Sequence, residues 1–319
     1  MVLSVFTLVL GLAACTGCAI ELFKKRLIRW VENQPWRSRM IPLQQNMMLN
    51  FGYSRSTTCD EAVVIDCYCF TIAICSHHLL MSIALAPVAL LGWDAAGSRG
   101  QFLFCAGALG DLAFTLYDAL QITLRTFFSN TFRCLGVQLP VKFFVVMVCL
   151  HHALSLMLTV PMLLYYSSMS ALHAIMCSLL FAGGTCYLLG CYKFTLDTQN
   201  SQWDFLQYKA IVLVQFMTIW LTRACVWVSQ SVAAMIVFYT EGDAPFLCVG
   251  LMGGVLMTFF NMLMLIDSTK AAIKWLPKQM PKQSICPKVG CAEREFKPSS
   301  KPANEILRRV QLASATLAE

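Results

Sequence analysis

Two adjacent histidines near the middle of an apolar stretch are the residues of this sequence best suited to chemistry. His151 and His152 lie in CLHHALSL at 149–156, about ten residues inside an apolar block at 141–166. Imidazole takes up and releases a proton near neutral pH, so histidine is the side chain most often used for general acid–base catalysis. Neighbouring residues project about 100° apart on a helix, so at most one of the two points squarely at a given partner. The pair predicts acid–base or acyl-transfer chemistry, and a structural role for buried histidines is the alternative.

A polar stripe follows one face of the apolar block at 102–128. Its members, spaced by four, three, three and four residues, are Asp111, Thr115, Asp118, Gln121 and Arg125. This is the period of one helix face. Because ionisable groups are expensive inside a bilayer, each one is by default a candidate for function. We expect the stripe to line a cavity or to pair with other helices, with Asp118 orienting a catalytic histidine. The alternative is that Asp118 only holds neighbouring helices by hydrogen bonds.

Arg223 lies near the middle of the apolar block at 208–239. An unpaired guanidinium there costs several kcal/mol, so we expect Asp111 or Asp118 to be its counter-ion, in a pair that could be purely structural. Other polar residues at membrane depth are His77, His78, Thr258 and Asn261.

The elements that must position these residues are apolar helices. The chain has 319 residues, 58% of them hydrophobic and 13% charged, with a mean hydropathy of +0.63, whereas soluble domains carry about 25% charged residues. Several stretches exceed the roughly 20 residues that cross a hydrocarbon core. The sequence therefore predicts an all-α, polytopic membrane helix bundle with about seven transmembrane helices. The predicted blocks are 1–23, 64–92, 102–128, 141–166, 171–192, 208–239 and 245–269.

The distribution of basic residues predicts the direction of the chain. With the N-terminus lumenal and the C-terminus cytoplasmic, only Arg99 lies in an outer loop, in agreement with the positive-inside rule. The first block has no basic residue before it, so it resembles an uncleaved anchor more than a signal peptide. The inner basic residues are those of 24–55, Arg125, Arg133, Lys142, Lys193, Lys209 and those from Lys270 onward.

These boundaries divide the chain into four parts. They are an N-terminal anchor at 1–23, a cytoplasmic connector at 24–61, a six-helix membrane domain at 62–276 and a basic cytoplasmic tail at 277–319. We expect the tail to be disordered. A short amphipathic helix around ILRRVQLA, lying on an anionic leaflet, is the alternative.

Charge and cysteine usage exclude two classes of function. The net charge is +7, but the basic residues flank apolar blocks and form no aromatic-interleaved face, so we expect no nucleic-acid partner. The sixteen cysteines are scattered, most of them inside apolar runs, and they lack the spacing of a zinc site. We therefore predict no metal site.

Several segments resemble TLC-domain proteins. DLAFTLYDAL at 111–120 resembles the Tyr-Asp element of that family, and CLHHALSL resembles the paired histidines that follow it. The family's Ser-His, Arg-bearing and Asn-bearing helices are resembled by SHHLLMSIA at 76–84, FMTIWLTRACVW at 216–227 and FFNMLMLI at 259–266. The elements occur in the family's order and cover about 62–278. The family includes ceramide synthases, translocon-associated TRAM proteins and smaller lipid-homeostasis proteins of the endoplasmic reticulum.

The resemblance implies a TLC-type core, an endoplasmic reticulum location and membrane lipids, among them sphingolipids, as ligands. It implies no cofactor, and acyl-CoA would be the co-substrate of an acyltransferase. Ceramide synthases carry further acids after the paired histidines, whereas 177–194 reads CSLLFAGGTCYLLGCYKF with none, which is closer to the smaller members. The implied catalytic residues are His151, His152 and Asp118, and the implied substrate-binding residues are Asp111, Tyr117, Arg223, His77 and Asn261.

Other functions stay open from sequence. The buried polar groups could join helices in a non-enzymatic chaperone, cargo receptor or translocation partner, and a homo- or hetero-oligomer is compatible with either function. A polar stripe could also line a channel or transporter pore. A retinal-binding receptor is disfavoured, because Lys270 and Lys274 lie at the end of the last block and not deep within it.

Overall fold

The computed structural model describes residues 2–129, 131 and 136–279, and this part of the chain contains helices and no strand. Arg133 and most of the predicted tail, 280–319, lie outside the described residues. The helices are α1 (Val2–Glu32), α2 (Arg37–Asn50), α3 (Arg55–Thr58), α4 (Glu61–Leu91), α5 (Gly97–Phe127), α6 (Val141–Phe144), α7 (Ala153–Tyr165), α8 (Ser170–Lys193), α9 (Gln202–Trp220), α10 (Trp227–Thr240) and α11 (Ala244–Trp275).

Two π-helical segments join shorter α-helices into longer ones. Val145–His152 connects α6 to α7, and Leu221–Val226 connects α9 to α10. The continuous helices therefore run over Val141–Tyr165 and Gln202–Thr240. π-Helical turns are rare and frequently occur at functional sites.

Within the described residues, six helices are long and apolar enough to cross a membrane: Glu61–Leu91, Gly97–Phe127, Val141–Tyr165, Ser170–Lys193, Gln202–Thr240 and Ala244–Trp275. They coincide with the last six predicted blocks, which confirms an all-α, multi-pass membrane bundle. The first predicted block lies in α1, which is not among the six, so its span remains a prediction. α1 continues through the basic residues to Glu32. The predicted connector at 24–61 therefore contains the end of α1 and all of α2 and α3.

The helices α1, α4, α5 and α8 pack side by side. A Cβ on Gly184 of α8 would lie 2.7 Å from the backbone nitrogen of Leu79 and 2.9 Å from the carbonyl oxygen of Cys75, both on α4. Glycine at this position therefore permits a close helix–helix contact. On the other side of α4, Ile20 of α1 packs with Ala73 and Phe114.

A second group of buried side chains joins α7, α8, α10 and α11. Leu154, Trp227 and Met257 form one apolar cluster, with Phe260 packed against it. The paired histidines directly precede α7, Arg223 precedes α10, and Asn261 lies on α11, so this part of the bundle positions half of the predicted site residues.

Candidate functional site

Asp118 and His152 meet in the interior of the bundle. The Nε2 atom of His152 lies 2.8 Å from Oδ2 of Asp118, and the two side chains are 4% and 6% exposed. Asp118 belongs to the polar face of α5, and His152 is the last residue of a π-helical segment. The structure therefore brings together two of the three predicted catalytic residues in hydrogen-bonding geometry.

His151 points to different neighbours. Its ring stacks on Phe260 with centroids 5.3 Å apart and an interplanar angle of 24°, and it lies 5.2 Å from the ring of His152. Its Nδ1 atom is buried and has no hydrogen-bond partner among the described residues. His151 therefore stacks on an aromatic ring, and no carboxylate of the described residues forms an ion pair with it.

The second histidine pair is divided between two partners. Nδ1 of His78 lies 3.3 Å from Oδ1 of Asp111, whereas Nε2 of His77 lies 3.3 Å from the carbonyl oxygen of Gly110. Both rings pack against Phe114. His78, rather than the predicted His77, is therefore the member of this pair that faces an acid.

Arg223 pairs with a neutral amide. Its Nη1 atom donates to Oδ1 of Asn261 at 2.8 Å, and the two residues are 7% and 1% exposed. No carboxylate of the described residues lies within 4.0 Å of the guanidinium. The prediction that Asp111 or Asp118 is its counter-ion is therefore wrong, because histidines of α4 and of the π-helical segment before α7 occupy both carboxylates.

Tyr117 turns toward α1. Its hydroxyl donates to Oε1 of Glu21 at 3.2 Å and accepts from Nε2 of Gln121 at 3.4 Å. Glu21 also pairs with Lys24 at 2.9 Å. Tyr117, which was predicted to bind substrate, thus bonds to Glu21 of α1. The sequence did not predict Glu21 as its partner.

Two other members of the polar stripe bond to backbone groups. The hydroxyl of Thr115 donates to the carbonyl oxygen of Asp111 at 2.9 Å, and Nε of Arg125 donates to the carbonyl oxygen of Val137 at 3.1 Å. Gln121 bonds to the hydroxyl of Tyr117. Among the described residues, the two aspartates are therefore the members of the stripe that pair with histidines.

A cavity of about 860 Å³ lies beside this polar cluster, between α7, α8, α10 and α11. Its lining is almost entirely apolar. Some lining side chains, including Met157, Ile236 and Leu251, are exposed on the outside of the bundle, so the cavity opens toward the surrounding lipid. This volume lies within the roughly 300–1,000 Å³ range of small-molecule sites.

Several residues of the cavity lining are near the polar cluster in the chain. Trp227 and Thr258 line the cavity, and Nε1 of Trp227 donates to Oγ1 of Thr258 at 2.9 Å. Ser155, also in the lining, follows His151 by four residues in the same continuous helix. The cavity lining therefore comes within four residues of both His151 and Arg223 along the chain.

Within the described residues, no group of three or more His, Cys, Asp or Glu side chains could hold a metal ion. No family model, no curated protein and no solved structure matches the chain.

Proposed function

We propose that this chain is a TLC-type protein of the endoplasmic reticulum membrane that handles membrane lipids, and that its enzymatic activity is acyl transfer from acyl-CoA to a lipid amine or hydroxyl. The observation that carries the proposal is the buried 2.8 Å contact between Asp118 and His152 beside an apolar cavity open to lipid. A polar pair at membrane depth is costly to keep, and the neighbouring cavity supplies a place for an acyl chain.

The chemistry follows from the orientation of His152. With Asp118 ionised, Nε2–H of His152 donates to it, which leaves Nδ1 as the basic nitrogen, as in a catalytic triad. That nitrogen takes the proton of the attacking amine or hydroxyl while the new C–N or C–O bond forms. The thioester C–S bond then breaks, and the imidazolium returns its proton to the leaving thiolate. Ser155 and the apolar lining hold the acyl chain near the pair.

The second candidate is a non-enzymatic chaperone or cargo receptor. Hydrogen bonds between helices favour it: Trp227 to Thr258, Arg223 to Asn261, and Nε2 of Gln215 to the carbonyl oxygen of Cys186. In this case the same groups only hold helices together, as polar side chains commonly do in membrane proteins.

Turnover measured with purified full-length protein in liposomes separates the two. Acyl-CoA and a mixture of sphingoid bases and lysolipids are supplied, and free thiol and acylated products are quantified. We expect His152→Gln to reduce turnover by about 10²–10⁴-fold, the usual contribution of a general base. The matched control is His173→Gln, because His173 contacts the carbonyl oxygen of Ser167 and the rings of Trp93 and Phe104 instead of an acid. Turnover that survives replacement of both His151 and His152 in a folded protein would end the catalytic proposal.

The proposed orientation, with a lumenal N-terminus and a cytoplasmic C-terminus, has a separate test. Glycosylation acceptor sequences appended to either terminus should be modified at the N-terminus alone. Modification of the C-terminal acceptor would reverse the assignment.

A further inference from the structure

Arg223 is a buried cation without a matching anion. Arginine stays protonated in proteins, and a charge at membrane depth is expensive. Asp118, the other charged residue in the buried set, has His152 at 2.8 Å. Arg223 has only the amide oxygen of Asn261, which carries no net charge. Among the described residues, no anion therefore contacts this buried positive charge.

The same two residues also leave hydrogen-bond donors unused. Nε of Arg223 and Nδ2 of Asn261 are both buried and have no acceptor among the described residues. Unpaired buried donors cost about 1–3 kcal/mol each. The bond from Nη1 to Oδ1 fixes the amide and guanidinium against each other. A guanidinium N–H and an amide N–H that are both unpaired are suited to an anion with two adjacent oxygens, as a carboxylate has.

The apolar cavity begins next to this position. Trp227 on α10 follows Arg223 by four residues, and Thr258 on α11 precedes Asn261 by three residues. The Trp227–Thr258 hydrogen bond therefore lies four residues along one helix and three along the other from the Arg223–Asn261 hydrogen bond, and it forms part of the cavity wall. A ligand with an anionic head at Arg223 would direct its other end into apolar space.

We infer that Arg223 and Asn261 form the head-group site for the carboxylate of a long-chain fatty acid, whose hydrocarbon chain fills the cavity between α7, α8, α10 and α11. The inference rests on the proposed lipid function and names a ligand class for it. A carboxylate carries one negative charge and neutralises one guanidinium, whereas a phosphate monoester of about −1.5 to −2 leaves excess negative charge in the bundle.

Binding of palmitate, hexadecanol and lysophosphatidate to the purified, delipidated full-length protein tests the head group. We expect palmitate to bind about tenfold more tightly than hexadecanol, since a hydrogen bond to a charged group contributes enough for that ratio. Arg223→Gln should abolish the preference, and Arg125→Gln, which alters a guanidinium bonded to a backbone carbonyl, should leave it unchanged. Equal binding of palmitate and hexadecanol to the unmodified protein overturns the inference. Tighter binding of lysophosphatidate than of palmitate overturns it in favour of a phosphate ligand.

A cavity variant tests the position of the chain. Gly254 lines the cavity, and a Cβ there would meet no atom within 4 Å, so Gly254→Phe adds a ring that starts in open space at the cavity wall. We expect it to weaken palmitate and hexadecanol binding alike, and unchanged binding would place the chain elsewhere. These results are separable from turnover. Palmitate selectivity without any acyl transfer removes the enzymatic proposal alone, and acyl transfer without palmitate selectivity removes this inference alone.

Discussion

The contact between Asp118 and His152 allows a quantitative test of whether Asp118 is ionised. The proposed mechanism has an ionised Asp118 and a neutral His152, so their 2.8 Å contact is a hydrogen bond with a charged acceptor. The pair is almost fully buried. A hydrogen bond to a charged group contributes about 1.5–3 kcal/mol, whereas interhelical hydrogen bonds in membrane proteins average about 0.6 and reach about 1.7 kcal/mol in double-mutant cycles.

The perturbation is a double-mutant cycle with Asp118→Asn, His152→Gln and the double variant. We expect a coupling free energy of about 2–3 kcal/mol, because each single variant removes the hydrogen bond between the neutral imidazole and its ionised acceptor. Reversible unfolding in mixed micelles, followed by tryptophan fluorescence, gives the free energy of unfolding for each protein. The same cycle between Asp118→Asn and His173→Gln serves as the control. It should be additive within about 0.5 kcal/mol, since these residues share no partner.

The size of the coupling decides between three states of the pair. A value of about 0.6–1.7 kcal/mol would indicate a neutral hydrogen bond, which removes the ionised Asp118 from the proposed mechanism. If the effects of Asp118→Asn and His152→Gln on the free energy of unfolding were additive, as expected for the control cycle, the contact itself would be contradicted.

Three further predictions concern the scaffold. Gly184→Ala should lower the free energy of unfolding by about 1–3 kcal/mol, because its Cβ meets the backbone of α4. The adjacent Gly183→Ala, whose Cβ meets nothing within 4 Å, should be neutral or stabilising by up to about 1 kcal/mol. Equal changes in the free energy of unfolding for the two variants would contradict the close packing of α8 on α4. Asp243→Ala should cost about 1–2 kcal/mol, because Asp243 caps α11 through the backbone N–H of Phe246. Asp243→Asn, which can still accept that bond, should lose clearly less. Hydrogen bonds from Asn200 lower the pKa of Asp197, in the loop between α8 and α9, below its ordinary 3.8. The stability that Asp197 contributes is therefore present above pH 3.8 and lost as the pH falls through the lowered pKa. The melting temperatures of the unmodified protein and of Asp197→Asn should therefore converge as the pH falls through that pKa. A difference in melting temperature that stays constant with pH would refute this.

Hydropathy predicted the six membrane helices closely because the thickness of the bilayer sets their length. The block predicted at 171–192 is the helix Ser170–Lys193, and the block predicted at 141–166 is the helix Val141–Tyr165. The polar face of α5 was also predictable, because its spacing follows the helix period. Asp118 and Asp111 do lie on that face and contact histidines.

The partners of these groups were not predictable from one sequence. Charge complementarity suggested an aspartate as the counter-ion of Arg223. Charge complementarity, however, does not tell how each helix is rotated about its axis in the bundle. The stacking of His151 on Phe260 and the cavity have no sequence signal either, because each depends on how helices distant in the chain come together. The adjacent glycines of α8 show the same limit, since only Gly184 faces α4.

The two π-helical segments account for part of this failure. A π-helical turn holds more residues than an α-helical turn, so side chains beyond it are rotated relative to an uninterrupted period. His152 ends one segment and Arg223 lies inside the other. Projecting a helix face through either segment at 3.6 residues per turn therefore misplaces the residues most relevant to the site. Local departures from α-helical geometry persist where surrounding contacts over-determine them. Both segments carry buried polar residues held by another helix, His152 by Asp118 and Arg223 by Asn261. These hydrogen bonds couple the local geometry of each segment to the arrangement of the site.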